Sequence, residues 1–226
     1  MKEIVLDTET TGISVKDGHR IVEIGCIELD NLIPTKNKFH CYLNPERKVS
    51  EKAFEVHGYS DSFLSDKMKF GEVADDFLKF IKNKRLIIHN AEFDLSHLNN
   101  ELEILGKKKL NNEFIDTLTL AREKFPGLSV SLDALCKRYE INNSHRDLHG
   151  ALLDAEILAD VYLVMTSGQS SLSLKEGVDI VKNETRHQGI NLRANEVPVH
   201  YASSEELEAH DARLKDIHEK SEEGCL

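Results

Sequence analysis

A chain of 226 residues, 40% apolar and 31% charged, is long enough for one large domain or one domain with an appendage, and it reads as a soluble folded protein. No apolar run reaches bilayer length, no signal-like segment precedes the first strand, and the four cysteines (Cys26, Cys41, Cys136, Cys225) form no CxxC pair; a membrane span, a disulfide scaffold and a zinc knuckle are excluded, and a cytoplasmic protein is expected. The formal net charge of −11 argues against a simple nucleic-acid binder, whose hold on phosphate is basic, unless divalent cations supply positive charge and a partner grips the polymer.

Ile4-Val5-Leu6 runs straight into Asp7-Thr8-Glu9-Thr10-Thr11-Gly12, which predicts a buried strand ending in two carboxylates. Residues i and i+2 of a strand share a side, so Asp7 and Glu9 are expected to face one spot. Carboxylates that close repel each other, and a shared proton or a cation relieves them; a turn or capping role is the plainer alternative. After a turn-rich loop over 14–18, Ile21 to Leu29 predicts a second strand. A turn over 31–35 and a third strand from Lys38 to Leu43 complete an antiparallel meander. Phe54-Glu55-Val56-His57-Gly58 reads, on its residues alone, as a loop with a packed histidine. The spacing of Val73, Phe77, Leu78 and Ile81 predicts a helix over 70–81.

Leu86-Ile87-Ile88 is another short apolar strand, ending in His89-Asn90. The helix after it carries Asp94 near its start and the stripe Leu95, Leu98, Leu102 and Leu105, with Gly106 as its stop. Phe114-Ile115 leads to Asp116, expected to cap the helix of Leu118, Leu120 and Ala121 rather than to bind a metal. Ser131 caps a short helix over 132–136. His149-Gly150 opens a long one, with Ile157, Leu158, Val161, Tyr162 and Met165 along its stripe and Gly168 at its end. Strands first, then alternating helices and strands, predict an α/β fold: a mixed sheet flanked by helices, with its site at the carboxyl ends of the strands.

Asp7, Glu9, Asp94 and Asp154 all fall at strand ends or on helices that start beside them, and His149 lies five residues before the last. Four hard oxygen donors without cysteine select Mg²⁺ or Mn²⁺ over zinc. Four carboxylates exceed the needs of one ion and suit two divalent cations roughly 4 Å apart, the arrangement that flanks a phosphodiester. A histidine beside them can take the proton from the attacking water, although a histidine at a helix start also has a plain packing role.

Asp7-x-Glu9-Thr10-Thr11-Gly12, His89-Asn90-x-x-Phe93-Asp94 and His149-x-x-x-x-Asp154, in that order, resemble the three exonuclease motifs of the DnaQ-like family, histidine subtype. Val56-His57-Gly58, Ser131 to Cys136 and Leu148 to Ala155 extend the likeness toward the proofreading subunits of bacterial replicative polymerases. The resemblance implies a ribonuclease-H-like fold and 3′–5′ hydrolysis that releases 5′-mononucleotides. It implies that Asp7 bridges both ions, that Glu9 and Asp154 hold the ion activating the water, and that Asp94 supports the second ion. His149 is then the general base. Thr10, Thr11, Gly12 and His57 join Asp7, Glu9 and Asp154 in binding the terminal nucleotide, which gives His57 a functional role. Tyr59 departs from the pattern, which has an aliphatic residue after the His-Gly pair, and this puts the shape of the nucleotide pocket in question.

The division expected is an exonuclease domain over 1–168, a flexible linker over 169–196 and a polymerase-binding tail over 197–226. Gln169, Leu172 and Leu174 resemble a weak sliding-clamp-binding motif, for which a plain linker is an equal alternative. Ser203 and Glu206 form a capping box for a helix to about Lys220, with Leu207, Leu214 and Ile217 near one face. The resemblance implies that this tail docks on the polymerase catalytic (alpha) subunit, and that the substrate is a single-stranded or frayed DNA 3′ end. The rival readings are an RNA 3′-end-trimming exonuclease of the same family and a non-catalytic nucleic-acid-binding module.

Overall fold

The computed structural model describes residues 2–144, 146, 148–167 and 203–222, with side chains of the last segment to Leu214. Strands β1 (Lys2–Thr10), β2 (Ile21–Asp30) and β3 (Ile33–Tyr42) form the expected antiparallel meander. Strands β4 (Arg85–Ile88) and β5 (Phe114–Asp116) add in parallel on the other side of β1, giving the order β3-β2-β1-β4-β5. The third strand starts earlier than its sequence pattern suggests. Asp30 pairs with Ile33 across a two-residue turn in which Asn31 and Leu32 take φ of 51° and 70°. That mirror-image turn follows the twist of the strands, and a leucine in it hides the usual Asn-Gly signature.

The strands alternate as buried strands must. Ile4, Leu6, Ile24, Cys26, Leu86 and Ile88 face α3 (Phe70–Ile81) and α4 (Ala91–Ile104). Val5, Ile27, Leu29 and Ile87 face α5 (Thr117–Lys124), α6 (Leu132–Tyr139) and α7 (Ala151–Ser167). The result is the expected ribonuclease-H-like α/β fold, with two apolar layers around one sheet. Two short helices were not predicted: α1 (Glu51–His57), capped by Ser50, and α2 (Asp61–Leu64), capped by Ser60. The stretch read as a loop around His57 is therefore the end of a helix, closed by Gly58 at φ 74°.

Capping residues act as the sequence suggests. Asp116 accepts from the Leu118 amide and the Thr119 hydroxyl at 3.0 Å, and Ser131 accepts from the Ala134 amide. Gly106, at φ 66°, follows the end of α4. Helix α8 (Ser204–Glu222) belongs to a separate unit and starts with the predicted box: Ser203 accepts from the Glu206 amide, and Glu206 accepts from the Ser203 amide at 2.8 Å. Leu207 and Leu214 are exposed on it. Gly168, the linker over 169–196, Gln169, Leu172 and Leu174 lie outside the described residues, as does the side chain of Ile217.

Helix α7 approaches β2 closely at Gly25. A Cβ on Gly25 would fall 2.3 Å from the backbone of Ala151 and Leu152, so only glycine admits the first turn of α7 against the strand. Gly25 is also the residue paired with Asp7 across β1 and β2. The bare position beside Asp7 is thus where the helix bearing Asp154 comes in.

Candidate active site

The cleft opens at the carboxyl ends of β1 and β4. Asp7 and Glu9 share the side of β1 that faces α7, as i and i+2 residues must. Thr8 points to the opposite side and donates to Oδ1 of Asp94, on α4, at 2.7 Å. A bulge between Glu9 and Thr10 then ends the regular pairing. Asp154 enters from α7. The four acids so come from three elements on both faces of the sheet, and all four line one cavity of about 400 Å³ with His149. Ligand atoms of Glu9, His149 and Asp154 lie within 4.8 Å of one another.

Crowding these acids has an electrostatic cost. Burial, then the charges of Asp154, Glu23 and Asp94, push Glu9 up to about 8. Burial pushes Asp94 up to about 7 against the pull of the Thr8 hydroxyl. Burial and the charge of Asp94 raise Asp7 well above the usual carboxylate range. Asp154 is the exception. Burial raises it too, but His149 and the guanidinium of Arg146 beside it outweigh that and hold it below its ordinary value. A group of oxygen donors whose charged forms are unstable for want of positive charge fits a hard divalent cation, and the donor set fits one held through Asp7, Glu9, Asp94 and Asp154.

Arg146 supplies positive charge locally. Its guanidinium meets Asp154 at both oxygens, 2.5 and 2.7 Å away, donates to Nδ1 of His149 at 2.7 Å, and reaches Asp133 at 2.7 Å. Sequence reasoning missed it, because an arginine in an irregular loop carries no periodic signal. His149 sits two residues before α7, not on it, with its ring 45% exposed at the rim of the cleft.

A second cavity, of about 450 Å³, adjoins the first and shares Glu9 and Phe93 with it. Thr10, Gly12, Ile13, Ala53, Val56 and His57 line it, so the Thr-Thr-Gly turn and the His57 turn form one pocket beside the acids. Thr11 is fully buried beneath that turn and pairs with the ring of His19 at 3.0 Å; it supports the pocket without lining it. His57 is 2% exposed. Its Nδ1 accepts from the Tyr59 amide at 3.0 Å, which leaves Nε2–H to face the Thr10 carbonyl at 3.3 Å. Glu23 was also missed, although an acid inside the run Ile21-Val22-Glu23-Ile24-Gly25 was a visible anomaly. It is 2% exposed, opposite Glu9 across the strands, and accepts from Tyr59, His40 and the Ala151 amide.

An exonuclease family model matches residues 4–162, which include all five strands but the first two residues of β1, and Asp7, Glu9, Asp94, His149 and Asp154. The DNA polymerase III subunit epsilon of Escherichia coli K12 is 48% identical over the full chain and 96% of its own length. The chain belongs to this exonuclease family, in its branch of DNA polymerase III epsilon subunits. The epsilon subunit of Rickettsia typhi is 52% identical over 76% of both chains. Among solved structures, exonuclease X in complex with 5′ overhanging duplex DNA superposes with a TM-score of 0.59 at 25% identity, over 73% of this chain and 91% of that one. The nuclease domain of 3′hExo, a DEDDh family member bound to rAMP, superposes with a TM-score of 0.65 over 74% of this chain and 92% of that one; at 17% identity it speaks for the fold. The exonuclease activity expected from the three motifs follows from membership of this family.

Proposed function

We propose that this protein is the proofreading 3′–5′ exonuclease of a replicative DNA polymerase, removing mispaired 3′-terminal nucleotides as 5′-mononucleotides. The observation that carries this reading is the convergence of Asp7, Glu9, Asp94, Asp154 and His149 on one cavity beside an open pocket of about 450 Å³, roomy enough for a terminal nucleotide. Two Mg²⁺ or Mn²⁺ ions held by the four acids supply charge stabilisation for the phosphodiester when bound. The terminal nucleotide lies in the pocket of Thr10, Gly12 and His57, with Phe93 at the boundary between the two cavities. His149, at the exposed rim, takes the proton from the attacking water. A bond forms from the water oxygen to phosphorus, the bond from phosphorus to the 3′ oxygen breaks, and the shortened strand keeps a 3′ hydroxyl. The pocket takes an unpaired end, and mispaired ends cost less to unstack, which biases cleavage toward errors.

The negative net charge is consistent with a protein that leaves duplex binding to its partner. We assign residues 1–168 to the nuclease, 169–196 to a linker and 197–226 to docking on the polymerase alpha subunit, in a cytoplasmic complex. The exposure of Leu207 and Leu214 on α8, in a separate unit, supports the docking role. Gln169, Leu172 and Leu174 are assigned as sliding-clamp contacts on their sequence pattern. The test is single-turnover degradation of 5′-labelled single-stranded DNA and matched RNA, with Mg²⁺, Mn²⁺ or chelator. DNA shortened from its 3′ end in a metal-dependent way is expected, and a strong preference for RNA would replace this reading with RNA trimming. Pull-down of the alpha subunit by residues 197–226 tests the tether.

A further inference from the structure

His57 of the pocket and His149 of the cleft come from different parts of the chain, yet the segments that carry them are tied together. The His149 amide donates to the Val56 carbonyl at 3.0 Å, one residue before His57. Leu148 lies against Gly58, where a Cβ would fall 2.7 Å from its side chain. Beneath this seam sits Tyr59, the residue that departs from the family pattern. Its ring stacks on that of His57, with centroids 4.8 Å apart and planes at 24°, and is buttressed by Phe63 at 5.7 Å and by the edge of Tyr42 at 5.2 Å. Its hydroxyl donates to Oε2 of Glu23 at 2.8 Å. The same oxygen accepts the Ala151 amide at 2.8 Å, the first residue of α7 and two residues after His149. His40 meets the other oxygen at 2.7 Å.

We propose that Tyr59 and Glu23 are a pair of positioning residues that fix the His57 pocket and the His149 loop as one unit, the ring of Tyr59 serving the nucleotide pocket and its hydroxyl, through Glu23, serving the start of α7. The proposal rests on the exonuclease reading given above. Each arm is specified by separate contacts. The ring braces His57, which faces the Thr10 carbonyl at the pocket wall. The hydroxyl completes the partners of a carboxylate buried at the foot of α7, where an unmet hydrogen bond is costly and a small shift carries directly to His149. An aliphatic side chain at position 59 fills part of the space but provides neither the stack nor the donor.

The two arms separate in kinetics. Tyr59→Phe keeps the ring and deletes the donor, so the rate at saturating DNA is expected to fall about tenfold with the half-saturating DNA concentration nearly unchanged. Tyr59→Leu deletes both, so the half-saturating concentration is also expected to rise about fivefold. Binding of a deoxynucleoside 5′-monophosphate, measured without turnover, is expected to weaken in Tyr59→Leu and not in Tyr59→Phe. Glu23→Gln, whose amide oxygen can still accept from both Tyr59 and Ala151, is expected to stay near wild type, whereas Glu23→Leu, which removes that acceptor, is expected to lower the rate at least as far as Tyr59→Phe. Thermal unfolding of each variant is recorded alongside. A purely structural role lowers the unfolding midpoint and leaves rate constant, half-saturation and mononucleotide binding as in wild type, and that result overturns the proposal. So does a Tyr59→Phe variant indistinguishable from active wild type. Wild type that cuts no DNA under any metal condition instead overturns the exonuclease reading on which the proposal stands.

Discussion

The guanidinium of Arg146 forks onto the carboxylate of Asp154 while one of its nitrogens donates to Nδ1 of His149. Nδ1 of His149 also lies 3.2 Å from Oδ2 of Asp154. A neutral imidazole accepting at Nδ1 carries its proton on Nε2 and has no lone pair there to take another. When Arg146 moves off, Nδ1–H can donate to Asp154 and Nε2 becomes the free base. A divalent cation and Arg146 compete for the same carboxylate. Arg146→Gln is therefore expected to tighten cation binding severalfold by calorimetry. In chelator, the same variant should lose about 3 kcal/mol of stability, because Asp154 is left buried without its counter-charge.

Asp7→Asn separates stability from activity in the opposite sense. Asp7 adds to a group of acids that repel one another, and its own carboxyl is raised by burial and by Asp94. Replacing it with a neutral isostere is expected to raise the unfolding midpoint of the chelated protein and to abolish the stabilisation by added cation. Nuclease activity should drop by at least about a thousandfold, as when a central transition-state contact is removed. An Asp7→Asn protein less stable than wild type in chelator would contradict the electrostatic account.

His149→Gln tests the base directly. The ring is half exposed at the rim and meets Arg146 and Asp154 through Nδ1 alone, so stability should change little. The single-turnover rate is expected to fall between about a hundredfold and ten-thousandfold, the span typical of a lost general base.

Acid sensitivity is expected at the far end of the sheet from the cleft. Glu28 is 2% exposed and is held by Lys84 at 2.7 Å, Asn37 at 2.9 Å and Lys2 at 3.0 Å. Lys84 first, then Asn37, bring it down to about 2 from an ordinary 4.5. A depressed carboxylate stabilises the fold fully above the unfolded value and loses that contribution as pH falls toward the folded one. Stability should therefore decline between about pH 4.5 and pH 2, and Glu28→Gln should flatten that limb in urea titrations across the range.

Gly25→Ala probes how α7 is seated. The added methyl meets the backbone of Ala151 and Leu152, which cannot swing aside as a flexible side chain could. A loss of about 1–3 kcal/mol is expected from overpacking, together with reduced activity as His149 and Asp154 are displaced.

The legible part of this protein was its local chemistry. Asp7, Glu9, Asp94, Asp154 and His149 stand where strand patterns end or helix patterns begin, and strand alternation placed Asp7 and Glu9 on one side. The capping roles of Asp116, Ser131 and Ser203 were equally readable, since a cap is a relation between residues two or three apart. What was not readable was tertiary. Helices α1 and α2 are seven and four residues long and carry too few turns for a 3.6-residue period to emerge. Glu23 drew no attention because its partners are 17, 36 and 128 residues away. Arg146 is defined only by the carboxylates it reaches.

The docking of α7 on Gly25 has a consequence for how the protein comes into being. Asp7, Glu9 and Asp94 are all synthesised within the first half of the chain, but Asp154 and His149 reach them only when α7 lands on β2. Long-range contacts of this kind form late. A nascent chain still on the ribosome, with its sheet partly paired, is chemically silent toward the nucleic acid around it, and the power to cut arrives with the last helix of the domain.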